Sequence, residues 1–151
     1  MRSNLLQPRV VAVERLIPAD AQRIFDVLAD PAQHPVFDGS GSVRQAQEGN
    51  PERLSKGATF GMDMKLGRRY QIRNTVVEFD EPRRIAWRHF GGHRWRYLLS
   101  EAEGGTLVRE EWDPTPVPRA YPVLALTGFP KRNAEGMAKT LERLQEHVTR
   151  S

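Results

Sequence analysis

"WRHFGGHRWRYLL", residues 87–99, decides how this chain folds. It sets two Trp, two His, a Tyr and three Arg around a Gly-Gly pair. Read as a hairpin, it has two possible registers. A two-residue loop at Gly91-Gly92 puts Trp87 opposite Arg96, so each face mixes Trp with Arg. A three-residue loop, Phe90-Gly91-Gly92, puts His89 opposite His93, Trp87 opposite Trp95 and Ile85 opposite Tyr97. One face then carries Ile85, Trp87, His89, His93, Trp95, Tyr97 and Leu99. The other carries Arg84, Ala86, Arg88, Arg94, Arg96 and Leu98. A one-residue slip exchanges the faces of a strand, so the register that separates apolar from charged side chains is the one expected. It also calls for a glycine in the left-handed region, here Gly92.

The following run continues the pattern. With Leu99 opposite Val108, Tyr97 faces Glu110 and Trp95 faces Trp112. The inner face then holds a row of three Trp, with Glu110 and Tyr97 one row deeper and the two His at the rim. The arginines become the outer, solvated face of a sheet.

Outward from this hairpin, further strand runs are expected over residues 10–17, 42–47, 58–66, 69–79, 83–90, 93–100 and 106–113, most joined by tight turns, which predicts an antiparallel meander. In residues 58–66, Ala58, Phe60, Met62, Met64 and Leu66 alternate with polar or small residues, the period of a half-buried strand. Pro18-Ala19-Asp20 opens a short helix with Ile24, Phe25, Val27 and Leu28 on its apolar side, and Pro31 ends it by forcing Asp30 out of the helical region. Residues 34–41 read as a loop. Ala134, Met137, Ala138, Leu141, Leu144 and Val148 recur at three- and four-residue spacing, the stripe of a long amphipathic helix. Pro130 starts or kinks it, and residues 121–129 form an apolar, helical-looking piece before it. One sheet face must be buried, and the long helix is the large partner available.

Composition narrows the function. The 151 residues fit one domain, residues 1–151, with room for a core. There are no cysteines, hence no disulfides, thiolate metal site or Cys nucleophile. No apolar run is long enough for a membrane span, and Gln7, Pro8, Arg9 and Glu14 interrupt the N-terminal stretch, so a cytoplasmic protein without stable membrane insertion is expected. Of 23 basic residues only four are Lys, but they are dispersed among 19 acidic ones, so no nucleic-acid partner is expected. Glycines at 39, 41, 91 and 92 lack the residues of a phosphate loop, and no Gly-x-Ser-x-Gly elbow occurs.

Three fragments carry a resemblance. "LIPADAQRIFDVLADPAQHPVFDGSGSV", "FDEPRRIAWRH" with "GGTLVREEWD", and "GMAKTLERLQEHV" resemble the opening strand, helix and loop, the central hairpin with its Gly-Gly-Thr strand, and the C-terminal helix of SRPBCC (START-like, helix-grip) proteins, notably the polyketide cyclase/dehydrase-like branch. The resemblance covers nearly the whole chain. It implies an α+β helix-grip fold: a curved antiparallel sheet of about six or seven strands around a long C-terminal helix, a short helix after the first strand, and a cavity between sheet and helix. It also implies an apolar ligand, lipid- or polyketide-like, and places His34, Phe37 and Asp38 near the cavity mouth. It supplies no universal catalytic set.

The candidate site follows. His89 and His93, opposite one another, could share a metal, but a third ligand is lacking, so no metal site is expected. Glu110, pointing into an aromatic interior, should have a raised pKa unless an Arg or Tyr97 compensates. It could act as a general acid or base, with His89 as a second proton shuttle, or bond to Tyr97 or an Arg and only orient a ligand, unless a bulge turns it outward. Phe60, Met62, Met64, Trp87, Trp95, Tyr97, Trp112, Met137 and Leu141 are the expected ligand-lining side chains. The leading expectation is a cofactor-free binding protein for an apolar or aromatic small molecule, monomeric or homodimeric. A cofactor-free polyketide cyclase or dehydratase using Glu110 or His89 is the alternative, and a ligand-free interaction module with the Trp residues as solid core is the third.

Overall fold

The computed structural model describes residues 8–89 and 92–150. Its seven strands are β1 (Val11–Ile17), β2 (Val43–Ala46), β3 (Thr59–Leu66), β4 (Arg68–Asp80), β5 (Arg84–Arg88), β6 (Arg94–Ala102) and β7 (Gly105–Asp113). They form one antiparallel sheet in the order β1-β7-β6-β5-β4-β3-β2. β2 to β7 are a meander, and β1 closes beside β7, with Val11 opposite Trp112 and Val13 opposite Glu110. The helices are α1 (Ala21–Leu28), α2 (His34–Phe37), α3 (Tyr121–Leu126) and α4 (Phe129–Thr149), with a 3-10 turn at Pro31–Gln33. α4 packs across the inner face, against β1 and β7, and α1 and α2 pack against α4.

The hairpin has the expected register. Ile85 pairs with Tyr97 and Trp87 with Trp95, and the next ladder pairs Trp95 with Trp112, Tyr97 with Glu110 and Leu99 with Val108. Phe90 and Gly91 of the expected loop lie outside the described residues. Gly92 has φ 80°, the left-handed region, and its N–H donates to the His89 carbonyl at 3.0 Å. The resulting inner face is buried at Ile85, Trp87, Tyr97, Leu99, Val108, Glu110 and Trp112. Trp95 is half-buried.

Four expectations need correction. Residues 34–41 are not all loop, because His34–Phe37 close one helical turn. Pro35 suits a first turn, and the Asp30 carboxylate caps the preceding 3-10 turn by accepting from Ala32 N–H at 3.0 Å. Four residues are too few to show a helical period. The alternation of β3 ends at Met64, and Leu66 is exposed. On α4 it is Thr140 that is buried while Ala138 is exposed, since the Thr140 hydroxyl is satisfied locally by donating to the Gly136 carbonyl at 2.9 Å. Finally, the outer arginines are not simply solvated. Arg96, its side chain 13 % exposed, bridges Glu78, Glu111 and Asp113 at 2.7, 2.8 and 3.2 Å.

That outer cluster depends on a β-bulge. Val76 faces Trp87, but the register then shifts so that Glu78 faces Ala86 and Phe79 faces Ile85. The extra residue reverses the parity of β4. Phe79 therefore packs inward, edge-on to Phe25 at 5.3 Å, while Glu78 turns outward to Arg94 and Arg96. α4 begins after Gly128, at φ 77°, with Pro130 in its first turn, so Pro130 starts this helix rather than kinking it.

Candidate functional site

The inner face carries two apolar clusters. The larger joins α1, the sheet and α4 through Phe25, Phe60, Met62, Met64, Trp87, Tyr97, Val108, Leu141 and Leu144. The smaller holds Trp112, Tyr121 and Met137, with Ala125 and Phe129 against them. Val13 and Trp95 touch both. Of the expected lining residues, six fall in the first cluster, Trp112 and Met137 in the second, and Trp95 between.

At the centre of the first cluster Trp87 stacks on His34 at 4.8 Å and meets Phe60 and Tyr97 at 5.5 and 5.6 Å. His34 is a buried neutral imidazole. Its Nε2–H donates to the Leu28 carbonyl at 2.8 Å, and desolvation lowers its pKa to about 4. It is thus an aromatic partner of Trp87, brought there by α2.

Glu110 lies on β7 between Val108 and Trp112, side chain inward and 3 % exposed. Burial raises its pKa to about 8; the Tyr97 hydroxyl donates to it and opposes the rise, and the Asp38 carboxylate adds to it. Its Oε2 atom has no hydrogen-bond partner. Tyr97 is correspondingly pushed well above the usual phenol value, first by burial and then by Glu110.

Asp38 completes this acidic group, and no periodicity in the sequence pointed to that role. It follows α2 and its carboxyl is raised, chiefly by burial. The Ser40 N–H and hydroxyl both donate to it. The loop is held on α4 by close contact at Gly39. Its N–H donates to Thr140 Oγ1 at 2.8 Å, and a Cβ there would stand 2.5 Å from the Thr140 backbone nitrogen. Arg143 also donates to the Asp38 carbonyl at 2.9 Å. A short helix, a glycine and α4 thus fix a carboxyl that acts on Glu110 from a distant part of the chain.

His89 and His93 stand at the hairpin end. Their Nε2 atoms are 2.9 Å apart, so at least one ring is neutral and accepts. Burial lowers both, His93 to about 4 with the His89 ring adding to the effect. His93 is buried, edge-on to Trp112 at 5.6 Å, and so is not a partly exposed rim residue. Among the described residues no group of three or more His, Cys, Asp or Glu is placed to hold a metal ion.

Two surface hollows lie elsewhere. One of about 320 Å³ is on the outer face, among Glu14, Arg84, Leu98, Leu107 and Arg109, and one of about 530 Å³ is among Gln22, Arg23, Asp26, Gln33 and His147.

Sequence comparison matches residues 8–149 to the family model described as polyketide cyclase / dehydrase and lipid transport. The chain belongs to that family. As a member of it, the chain has the SRPBCC helix-grip fold, with the sheet wrapped on α4 as the resemblance implied. It is 35 % identical over 143 residues to an uncharacterized protein of Mycobacterium tuberculosis, Rv0088, covering 89 % of this chain and 62 % of that protein. The chain thus spans about three fifths of the length of the curated relatives it matches. Solved structures share the fold at low identity. Protein CV1439 of Chromobacterium violaceum superposes with a TM-score of 0.73 at 18 % identity, over 95 % of this chain and all of that one. Ms6760 of Mycobacterium smegmatis gives 0.72 at 17 % over 98 % and 95 %. The AHSA1-like protein of Aeromonas hydrophila gives 0.69 at 16 % over 93 % and 92 %. No helix of the described residues is long and apolar enough to cross a membrane.

Proposed function

We propose that residues 8–149 form one ligand-binding domain that takes an apolar or aromatic small molecule, lipid- or polyketide-like, between the inner face of the sheet and α4. The carrying observation is Glu110, a carboxyl sunk in an apolar face with Oε2 unsatisfied. A buried polar group without a partner is costly, and a guest hydroxyl or carbonyl would satisfy it. With its pKa near 8, Glu110 is mostly protonated at neutral pH and can donate to a guest acceptor as well as accept. The family's description, which includes lipid transport, supports the same class of guest.

The rings around Trp87 are in mutual contact, so a guest enters by displacing side chains. Met62 and Met64 are the adaptable members, because an unbranched thioether repacks readily. Calorimetric titration of the delipidated protein with a long-chain fatty acid, a sterol and a polycyclic aromatic phenol tests this. Binding of at least one with a negative heat-capacity change is expected. Glu110→Gln should weaken a hydroxylated guest about tenfold and leave its apolar analogue unchanged. Equal effects on both would remove Glu110 from the site.

The second reading is catalytic, and the raised pKa of Glu110 favours it. A carboxyl that exchanges its proton near neutral pH suits the aldol cyclisation or dehydration of a polyketide chain. His89 is paired with His93 at the hairpin end, so the proton-transfer role falls to Glu110. On this reading Glu110→Gln abolishes turnover while binding survives. Turnover that survives the substitution would reject it.

A further inference from the structure

Two more unsatisfied polar atoms lie on Trp112, of the smaller cluster, and on Asn133 of α4. Trp112 Nε1 and Asn133 Nδ2 are both buried without a hydrogen-bond partner. An indole N–H can only donate, and an amide NH₂ likewise. Trp112 is fully buried on β7, two residues beyond Glu110 and on the same face. Asn133 is on α4, one turn after Phe129 and one turn before Met137, and both flank Trp112 in this cluster. Trp112 lies 6.4 Å from Tyr121 and 6.3 Å from Phe129, and on its other side the His93 ring meets it edge-on at 5.6 Å. α3 covers the cluster through Tyr121 and Ala125 while Val123 and Leu126 remain exposed.

Asn133 shares the α4 face of Phe129 and Met137, so its donor and that of Trp112 border one cluster and can serve one acceptor. We propose that this cluster is a second subsite, beneath α3, which takes the neutral carbonyl end of the guest, Trp112 Nε1–H and Asn133 Nδ2–H donating to its oxygen. The inference rests on the ligand-binding reading and adds the chemical class of the guest: a ketone, aldehyde or quinone on an apolar body. A carboxylate fits less well, because burying its charge among apolar side chains costs far more than burying a neutral carbonyl. The arrangement also orients the guest, with its carbonyl under α3 and its apolar body toward Trp87.

The test uses three naphthalenes of similar size: 2-acetylnaphthalene, 2-isopropylnaphthalene and 2-naphthoate. Affinities come from calorimetry, and the three indole N–H signals are followed by ¹⁵N NMR, with the Trp112 signal assigned by its loss in Trp112→Phe. The acetyl compound should bind about tenfold more tightly than the isopropyl one and alone shift the Trp112 N–H downfield. That advantage should fall to about twofold or less in Trp112→Phe, and independently in Asn133→Leu, which leaves the indole in place. Equal binding of the acetyl and isopropyl compounds, or tightest binding of naphthoate, overturns the carbonyl subsite and leaves the binding proposal standing. If no probe binds or moves any indole signal, the carbonyl subsite falls, and the titration with fatty acid, sterol and polycyclic phenol decides the binding proposal separately.

Discussion

Glu110 is the residue on which both functional readings turn. Its inward direction was legible, because the three-residue loop fixes the parity of β6 and, through it, of β7. Its unsatisfied oxygen and its coupling to Asp38 were not, because Asp38 comes from a loop whose docking on α4 no local pattern reveals. The same carboxyl makes a prediction about stability. Its folded pKa of about 8 lies above the ordinary 4.5, so its contribution is full below pH 4.5 and is lost as pH rises through 8. Between pH 5 and pH 9 the wild type should therefore lose roughly 3–5 kcal/mol relative to Glu110→Gln, read as urea-unfolding free energies. Parallel profiles would mean that Glu110 is hydrated. His34 acts at the other end. Its pKa is lowered to about 4, so its contribution is present above pH 6.5 and lost as pH falls through 4.

At the scale of elements, two devices hold the site in place. The first is the close approach of the loop after α2 to α4. In Gly39→Ala the new Cβ would press on the α4 backbone at Thr140 and Lys139, which cannot move aside as a side chain could. A loss of about 1–3 kcal/mol is expected in urea unfolding, with Glu110 titrating lower as Asp38 moves away. A neutral substitution would show that the loop is not seated there. The second is the outer ion cluster made possible by the bulge in β4. Arg96→Met removes the cation shared by Glu78, Glu111 and Asp113, all mostly buried. It leaves Glu78 to Arg94 and Arg84, Glu111 to Arg109 and Asp113 without an ion-pair partner among the described residues. A cost of about 2–4 kcal/mol is expected at neutral pH, shrinking in acid as the three carboxylates, which Arg96 helps to hold below their ordinary values, take up protons. A change below about 0.5 kcal/mol would mean that the cluster is as weak as an exposed one. Neither device was legible. Gly39 looked like one of several turn glycines, and in Val76-Val77-Glu78-Phe79 the alternation breaks without a turn residue to mark the bulge.

Across the whole molecule, sequence spacing gave a sheet and a long helix, and the resemblance gave the grip of one on the other. Residue types carried the elements, since apolar periods of two and near 3.6 cannot be exchanged. The closure of β1 onto β7 was not readable from spacing, because the partner of a first strand is chosen by the whole sheet. That closure sets Val11 beside Trp112 and Val13 beside Glu110, and Val13 packs against both apolar clusters. The central claim is that this interior opens for a guest. Tryptophan emission of the delipidated protein, titrated with fatty acids, sterols and polycyclic aromatic polyketides, tests it most directly, since all three Trp lie on the inner face. A saturable quench or blue shift with at least one of them is expected, weakened by Val108→Trp, which fills the interior. Emission already blue-shifted, shielded from acrylamide and unmoved by every compound would show a solid core and contradict it.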